Sequence, residues 1–134
     1  MTEDKAAWPT GIRAITLVVE DLEAAKTFYQ EVFGLPILFE DANSAVFEFG
    51  STLVNLLKAE AAVRLVAPAS VADREAGVRF QLTLEVEDVD ATCGDLKARG
   101  AQLLNGPMDR PWGVRTASFM DPGGHIWEIA QPLS

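Results

Sequence analysis

The stretch ITLVVEDLEAAKTFYQEVFG, residues 15–34, returns later in the chain as LTLEVEDVDATCGDLKARG, residues 82–100. Each copy contains an alternating apolar strand, an acidic residue pair, an amphipathic helix and a closing glycine. Thr16 in the first copy corresponds to Thr83 in the second. A repeat of this kind indicates two copies of one supersecondary unit, each too small to bury its apolar face alone.

The acidic residues before the two helices predict where those helices begin. Asp21 and Asp88 are separated by the same offset as the two strands. Both suit the N-cap position, because their carboxylates can accept a hydrogen bond from a free amide of the first helical turn. Gly34 and Gly100 close the helices and suit the left-handed conformation of a C-terminal cap. One helix is therefore predicted in each copy.

After each helix the apolar residues change to a period of two, which is typical of strands. Three short strands follow in the first half, at PILFED, AVFEFG and TLVNLLK, and three in the second, at AQLLNG, VRTASFM and HIWEIAQ. The predicted fold is α+β, with two βαβββ modules that form a curved mixed sheet around a cleft. We interpret residues 1–134 as a single domain with modules at about 12–58 and 80–131. The linker at 59–79 is expected to contain one short helical turn.

The charge and composition limit the partners of this chain. It has 11 Lys and Arg against 20 Asp and Glu, a formal net charge of −9 at pH 7. This charge disfavours a nucleic-acid partner and favours a cationic small molecule. No apolar run could span a bilayer, and the amino-terminal MTEDKAAWPTG is not a signal peptide, so we expect no membrane contact and a cytoplasmic location. The single cysteine, Cys93, is predicted to be a buried, unreactive thiol.

Four positions are predicted to face the cleft at equivalent places in the two modules. On the first strand, Ile15, Leu17 and Val19 pack beneath the helix, which directs the alternate residues toward the cleft. The repeat and this alternation give the four positions as Ala14, Asn55, Gln81 and Glu128.

The repeat, the Asp-Leu…Phe-Tyr…Phe-Gly-Leu run of residues 21–35 and the Asp-Pro-Gly-Gly-His…Glu run of residues 121–128 resemble the vicinal oxygen chelate superfamily. This superfamily includes the glyoxalases, the extradiol dioxygenases, the fosfomycin-resistance enzymes and the bleomycin-resistance proteins. The resemblance covers about residues 12–131 and implies the glyoxalase/bleomycin-resistance fold. It does not imply one activity, because the same scaffold serves lyases, dioxygenases, transferases and binding proteins.

The resemblance also implies where a metal ion would bind, since members with a metal take His, Glu or Gln ligands from the four cleft positions. Ala14 has no donor atom, and the amides of Asn55 and Gln81 are weak ligands. Glu128 alone would bind an ion strongly, whereas a catalytic ion usually needs about three good protein ligands. His125 stands at an odd separation from Glu128 and should point to the opposite face of the strand. We therefore predict no metal and no other cofactor.

The segment RPWGVRTASFMDPGG, residues 110–124, resembles the bleomycin-resistance branch of the superfamily. The cleft of that branch is metal-free, lies between two subunits and stacks aromatic side chains on a flat heteroaromatic drug. Trp112 falls at the Trp of this motif, and Phe39 falls at the aromatic position after the first helix. The alternative for both residues is a packing role, in the core or, for Trp112, at a subunit interface. Phe119 is a further candidate for ligand contact where the register of the last hairpin places it on the Glu128 face.

The sequence thus predicts a metal-independent binding protein that sequesters an aromatic or hydrophobic antibiotic, bleomycin-like or another DNA-damaging natural product. A homodimer is expected, and no catalytic residue is assigned. The predicted ligand-binding residues are Phe39, Asn55, Gln81, Trp112, Phe119 and Glu128. The alternative function is a glyoxalase-like lyase, isomerase or dioxygenase of the same superfamily that uses Glu128. A third interpretation is that the Glu128 carboxylate only pairs with neighbouring polar side chains and has no role in function.

Overall fold

The computed structural model describes residues 8–134, and that range contains eight strands and three α-helices. The first module consists of β1 (Ala14–Val19), α1 (Leu22–Val32), β2 (Phe39–Glu40), β3 (Ser44–Phe49) and β4 (Thr52–Lys58). The connection to the next module contains α2 (Ala59–Val66) and a 3-10 turn (Arg74–Ala76). The second module consists of β5 (Gln81–Glu85), α3 (Val89–Ala98), β6 (Leu103–Asp109), β7 (Val114–Met120) and β8 (Ile126–Pro132).

The strands form two four-stranded mixed sheets of the same topology. The order is β1-β4-β3-β2 in the first module and β5-β8-β7-β6 in the second. β1 runs parallel to β4 and β5 runs parallel to β8, whereas the other neighbours are antiparallel. The predicted α+β fold, with a βαβββ order in each half, is confirmed. The expected curved sheet is divided into one sheet per module.

The first and last helices begin at the predicted capping residues. The Asp21 carboxylate accepts a hydrogen bond of 3.0 Å from the backbone N–H of Ala24. Asp88 accepts one of 3.1 Å from Ala91 in the same way. Each bond satisfies an amide that has no partner within the helix, which is why the chain enters helical conformation at these two points.

The connection between the modules is more ordered than the single helical turn that the sequence suggested. Helix α2 has 8 residues and starts directly after β4. Ala62 is its buried residue, and the helix contacts β1 and β4. The run AEAAVRLV consists mainly of good helix formers, and Pro68 ends the helix, because the residue before a proline avoids helical conformation.

No helix in residues 8–134 has the length and apolar character required to cross a membrane.

One hydrophobic core joins the two modules. The α1 side chain of Tyr29 contacts Phe47 of the first sheet and Trp127 of the second, with ring centroids 5.4 Å and 6.0 Å away. The ring centroid of Phe33, at the end of α1, lies 4.8 Å from that of Trp127. Cys93 is buried in this core as predicted, and burial raises the pKa of its thiol. The helix-covered sides of both sheets therefore face inward, and the opposite side of each sheet points away from the shared core.

Candidate functional site

The outer side of the first sheet, here called the first face, carries a row of four residues across the strands. The strand register pairs Thr16 with Asn55, Asn55 with Val46 and Val46 with Phe39. Directly paired residues lie on the same side of a sheet. Phe39 lies at the edge of this row, where 59% of its surface is exposed. The first face therefore brings the predicted contacts Asn55 and Phe39 to one surface, with Val46 between them.

Asn55 has an unusual environment on the first face. Its Oδ1 atom is buried and has no hydrogen-bond partner among residues 8–134. A buried acceptor without a donor costs about 1–3 kcal/mol, so native structures rarely retain one. This amide is a candidate to receive a donor from a molecule bound at the first face.

The outer side of the second sheet, here called the second face, carries the equivalent row. The register pairs Thr83 with Glu128, Glu128 with Ser118 and Ser118 with Asn105. The Thr83 hydroxyl donates a 2.9 Å hydrogen bond to the Glu128 carboxylate. Gln81 is exposed two residues before Thr83 and projects to the same side. All four residues of this row are polar, which makes the second face more hydrophilic than the first.

Arg110 is a residue of the second face that the sequence interpretation missed. Its Nε donates a 2.9 Å hydrogen bond to Oγ1 of Thr116, and its Nη2 lies 3.5 Å from Oδ1 of Asn105. The guanidinium carbon is 5.9 Å from the ring centroid of Trp112. Arg110 therefore lies over the sheet and supports one side of the indole. The sequence feature that could have identified Arg110 is its position two residues before Trp112 in a short hairpin turn.

Trp112 projects from the turn that joins β6 to β7. The backbone N–H of Arg110 donates to the carbonyl of Val114 at 2.7 Å, and Gly113 donates back to Arg110 at 3.1 Å, which fixes this turn. The indole has 70% of its surface exposed, so Trp112 does not fill the core of the chain. A large aromatic side chain held on a rigid turn is suited to stacking on a planar molecule, since little side-chain entropy is lost on binding.

Phe119 does not share the face of Glu128, and that expectation was wrong. The register pairs Phe119 with Trp127, and both side chains are buried in the core. Ser118 lies opposite Glu128 instead. One residue of register decides which side chains of β7 reach the outer side, because neighbouring residues of a strand point to opposite sides.

His125 lies in the turn before β8, and its ring is half-buried. Its backbone N–H donates a 2.9 Å hydrogen bond to Oδ1 of Asp121, and its Nδ1 lies 3.2 Å from the same oxygen. Asp121 is fully buried and also accepts a 2.7 Å hydrogen bond from the hydroxyl of Tyr29. His125 therefore belongs to a polar network inside the molecule and is separate from Glu128.

A model of the Glyoxalase/Bleomycin resistance protein/Dioxygenase superfamily matches residues 11–129. The chain belongs to this superfamily. Among its relatives is the uncharacterized protein YraH of Bacillus subtilis, 37% identical over 123 residues that cover 89% of this chain and 96% of that protein. A probable lactoylglutathione lyase of Vibrio cholerae is 31% identical over 121 residues, which cover 86% of each chain.

Solved structures with the same fold include both enzyme-family and binding proteins. A glyoxalase/bleomycin resistance protein/dioxygenase from Nocardioides has a TM-score of 0.84 and 26% identity, over 96% of this chain and 87% of that one. TnmS3, an antibiotic binding protein from Streptomyces sp. CB03234, has a TM-score of 0.69 and 27% identity, over 92% of this chain and 97% of that one. Membership of the superfamily thus does not distinguish an enzyme from a binding protein.

The residues at the superfamily's metal positions do not fit a divalent ion in this chain. Ala14 supplies no donor, and the carbonyl oxygen of Asn55 is neutral and buried. Glu128 is the one carboxylate of the four positions and is already bonded to Thr83. The part of the chain that the structure describes contains no group of three His, Cys, Asp or Glu side chains placed to hold a metal. These side chains fall short of the roughly three good ligands that a catalytic ion needs.

Proposed function

We propose that this protein is a metal-independent binding protein that captures an aromatic or hydrophobic small molecule, of the class of bleomycin-like or other DNA-damaging antibiotics. The observation that carries the proposal is the exposed indole of Trp112, fixed on a tight turn and supported by the guanidinium of Arg110. Water solvates an isolated indole poorly, so a flat ligand that covers it gains both apolar burial and stacking. Sequestration of this kind makes and breaks no bond.

The remaining candidate residues would orient the ligand. Phe39 offers a second exposed ring, and the unpartnered oxygen of Asn55 can accept a hydrogen bond from the ligand. Glu128 can hold a cationic or donor group, and Gln81 offers an amide beside it. The net charge of −9 favours the approach of a cation, as expected from the sequence.

We further propose that the binding cleft forms between two copies of the chain. Phe39 and Asn55 lie on the first face, whereas Glu128 lies on the second and Trp112 projects from the turn beside Arg110 of that face. Both faces point away from the shared core. A cleft that uses both sets requires the first face of one subunit to meet the second face of its partner. Exposed apolar side chains around these faces would be covered by such a dimer. They include Ile12, Phe39, Met108 and Trp112.

The comparison with TnmS3 supports the binding function, since that protein is an antibiotic binding protein of the same fold and similar length. A second candidate function, a glyoxalase-like lyase or isomerase, is supported by the similarity to the probable lactoylglutathione lyase of Vibrio cholerae. The donor set argues against the metal-dependent form of this alternative. A metal-free form would have to use Glu128 as the base, which the bond from Thr83 already engages.

Calorimetric titration of the untagged protein with bleomycin, mitomycin C and an enediyne tests the proposal. We expect saturable binding of one of these compounds, with the ligand recovered chemically unchanged by mass spectrometry. Elemental analysis of the same preparation should give well below one metal ion per chain, and light scattering should give the mass of a dimer. Recovery of a modified compound would establish the enzymatic alternative instead, and a stoichiometric divalent metal in untreated protein would refute the metal-independent proposal.

A further inference from the structure

A cavity of about 410 Å³ lies between the end of β1, the segment after α2 and the turn that joins β7 to β8. Its walls contain none of the ligand-binding residues proposed above, although Thr16 of the first face lies at its border. The volume falls within the range of small-molecule pockets, about 300–1,000 Å³, near its lower end. The cavity therefore has room for a compact molecule of about one aromatic ring.

The walls of this cavity are apolar over most of their surface, and the charged residues Glu20, Asp73, Arg74 and Arg79 also line it. Val18 contributes from β1, and the segment after α2 contributes further side chains. The apolar members of that segment are Val66, Val71, Val78 and Phe80. Val66, Val78 and Phe80 are exposed to solvent in the chain. Apolar side chains around a concave surface gain free energy when a ligand displaces the water that they contact.

His125 is a polar residue of the cavity whose ring has a fixed orientation. Asp121, which is buried, holds both the backbone N–H and the Nδ1 of this histidine. A carboxylate accepts hydrogen bonds, so it places the proton of the neutral imidazole on Nδ1 and leaves Nε2 as an acceptor. Nε2 has no hydrogen-bond partner among residues 8–134 and is not among the buried unpartnered atoms of that range. Because His125 lines the cavity, this nitrogen is available to accept a hydrogen bond from a ligand there.

Two glycines leave the space that this arrangement needs. A Cβ atom on Gly123 would lie 2.8 Å from Cε1 of the His125 ring. Gly124 has a φ of +90°, and a Cβ there would lie 2.9 Å from Cγ of Arg74. Any larger residue would displace the imidazole or the arginine side chain. The Gly-Gly-His sequence thus suits an imidazole that lies against the turn.

The outer wall of the cavity is tied to the body of the protein. The Arg74 backbone N–H donates a 3.1 Å hydrogen bond to the Glu20 carboxylate. The Arg74 Nε donates one of 3.0 Å to the carbonyl of Pro122. Asp73 caps the 3-10 turn by accepting from the N–H of Glu75 at 3.1 Å. These bonds hold the wall in place before any ligand arrives, which lowers the entropy cost of binding.

We propose that this cavity is a second small-molecule site, for a compact and mainly apolar ligand with one hydroxyl group that donates to Nε2 of His125. The apolar walls supply the affinity, and the imidazole acceptor selects ligands with a donor. The site depends on residues of a single chain and does not require the binding function proposed for Trp112. Failure of either proposal therefore leaves the other standing.

NMR titration with 4-methylphenol tests the second site, using 4-fluorotoluene as a probe of similar shape that lacks the donor. The chain has one histidine, so its ring ¹⁵N signals need no assignment by mutation. We expect a saturable shift of the His125 Nε2 signal with 4-methylphenol, and affinity for 4-fluorotoluene that is about fivefold weaker. Intermolecular NOEs should connect 4-methylphenol to the methyl groups of Val18 and Val78 in the unmodified protein.

Two variants complete the test of the second site. Ser70→Trp should fill the cavity from its outer wall and abolish the His125 shift. Ser51→Trp, in the exposed turn between β3 and β4, is the matched control and should leave the shift intact. Equal affinity for the two probes would refute the role of His125. The absence of a saturable shift together with the absence of NOEs to Val18 and Val78 would refute the site itself.

Discussion

The hydroxyl of Tyr29 donates a 2.7 Å hydrogen bond to the carboxylate of Asp121, a residue of the other module. The same hydroxyl accepts a 3.0 Å hydrogen bond from Nε1 of Trp127. Tyr29, Asp121 and Trp127 are all buried. Because helix α1 carries the tyrosine and the β7–β8 hairpin carries both partners, this network fixes the position of one module relative to the other.

Tyr29→Phe should lower the free energy of unfolding by about 1–3 kcal/mol, because it leaves a buried carboxylate and a buried indole N–H each short of a partner. Urea denaturation followed by tryptophan fluorescence measures the change. Thr83→Val is the matched control, since it removes a hydroxyl that donates to Glu128 at an exposed position. Its effect should stay within about 0.5 kcal/mol. Equal effects of the two variants would show that the Tyr29 network does not stabilise the fold.

The stability of the fold should also fall at alkaline pH through Tyr29. Burial, and then the negative charge of Asp121, raise the pKa of the Tyr29 phenol above its usual value. The phenol then keeps its proton in the folded protein at pH values where the unfolded chain loses it. The contribution of Tyr29 to the free energy of unfolding is therefore fully present below about pH 10. Above that pH it decreases by about 1.4 kcal/mol per pH unit.

Absorbance at 295 nm measures this directly, because the chain has one tyrosine. Phenolate should appear only as the protein unfolds. The stability of Tyr29→Phe should depend less on pH between 10 and 11 than that of the unmodified protein. Phenolate absorbance near pH 10 in protein that remains folded would contradict the prediction.

The features that local sequence determines were predictable. The N-caps at Asp21 and Asp88 depend on hydrogen bonds between residues three positions apart, so the repeat indicated both helices. The side of the sheet on which Leu17 and Val19 pack follows from simple alternation within one strand. These features need no information about the rest of the fold.

The features that depend on distant parts of the chain were not predictable. Phe119 was misplaced because its side follows from the pairing of β7 with β8 across a five-residue turn. The position of Arg110 over the second face follows from the acceptors Thr116 and Asn105, which its own sequence does not specify. The contact between Tyr29 and Asp121 joins two modules whose relative orientation no motif encodes.

Gly106→Ala should strongly destabilise the protein. Gly106 has a φ of +87°, and a Cβ there would lie 2.5 Å from the Thr116 carbonyl oxygen and 2.8 Å from Cα of Ala117. Both contacts are with backbone atoms that cannot move aside, so we expect a loss of about 2–4 kcal/mol in the free energy of unfolding. Gly94→Ala is the matched control, because Gly94 lies inside α3 with open space around it. That variant should gain about 0.5–1 kcal/mol, and a loss from it would contradict the assignment of α3.

Trp112→Ala should weaken binding of the captured compound by about 10- to 100-fold while leaving the fold of each chain intact, as judged by circular dichroism. The exposed indole contributes little to the core but supplies the stacking surface of the proposed site. Calorimetric titration measures the affinity. Leu65→Ala removes an exposed apolar side chain from α2 and should leave the affinity unchanged. Unchanged affinity in Trp112→Ala would exclude the indole from the site.

Mixed dimers of two variants should recover the original affinity, which neither variant has alone. In the proposed dimer each cleft uses Phe39 from one subunit and Trp112 from the other, so a dimer of Phe39→Ala with Trp112→Ala has one cleft with both rings and one with neither. Refolding the two chains together, one of them tagged, and purifying the mixed dimer should give half the number of sites, each with the original affinity. Two weak sites would result if each cleft formed within one chain, because both clefts would then lack one ring. The stoichiometry and affinity of the mixed dimer therefore decide between a shared cleft and one built by a single chain.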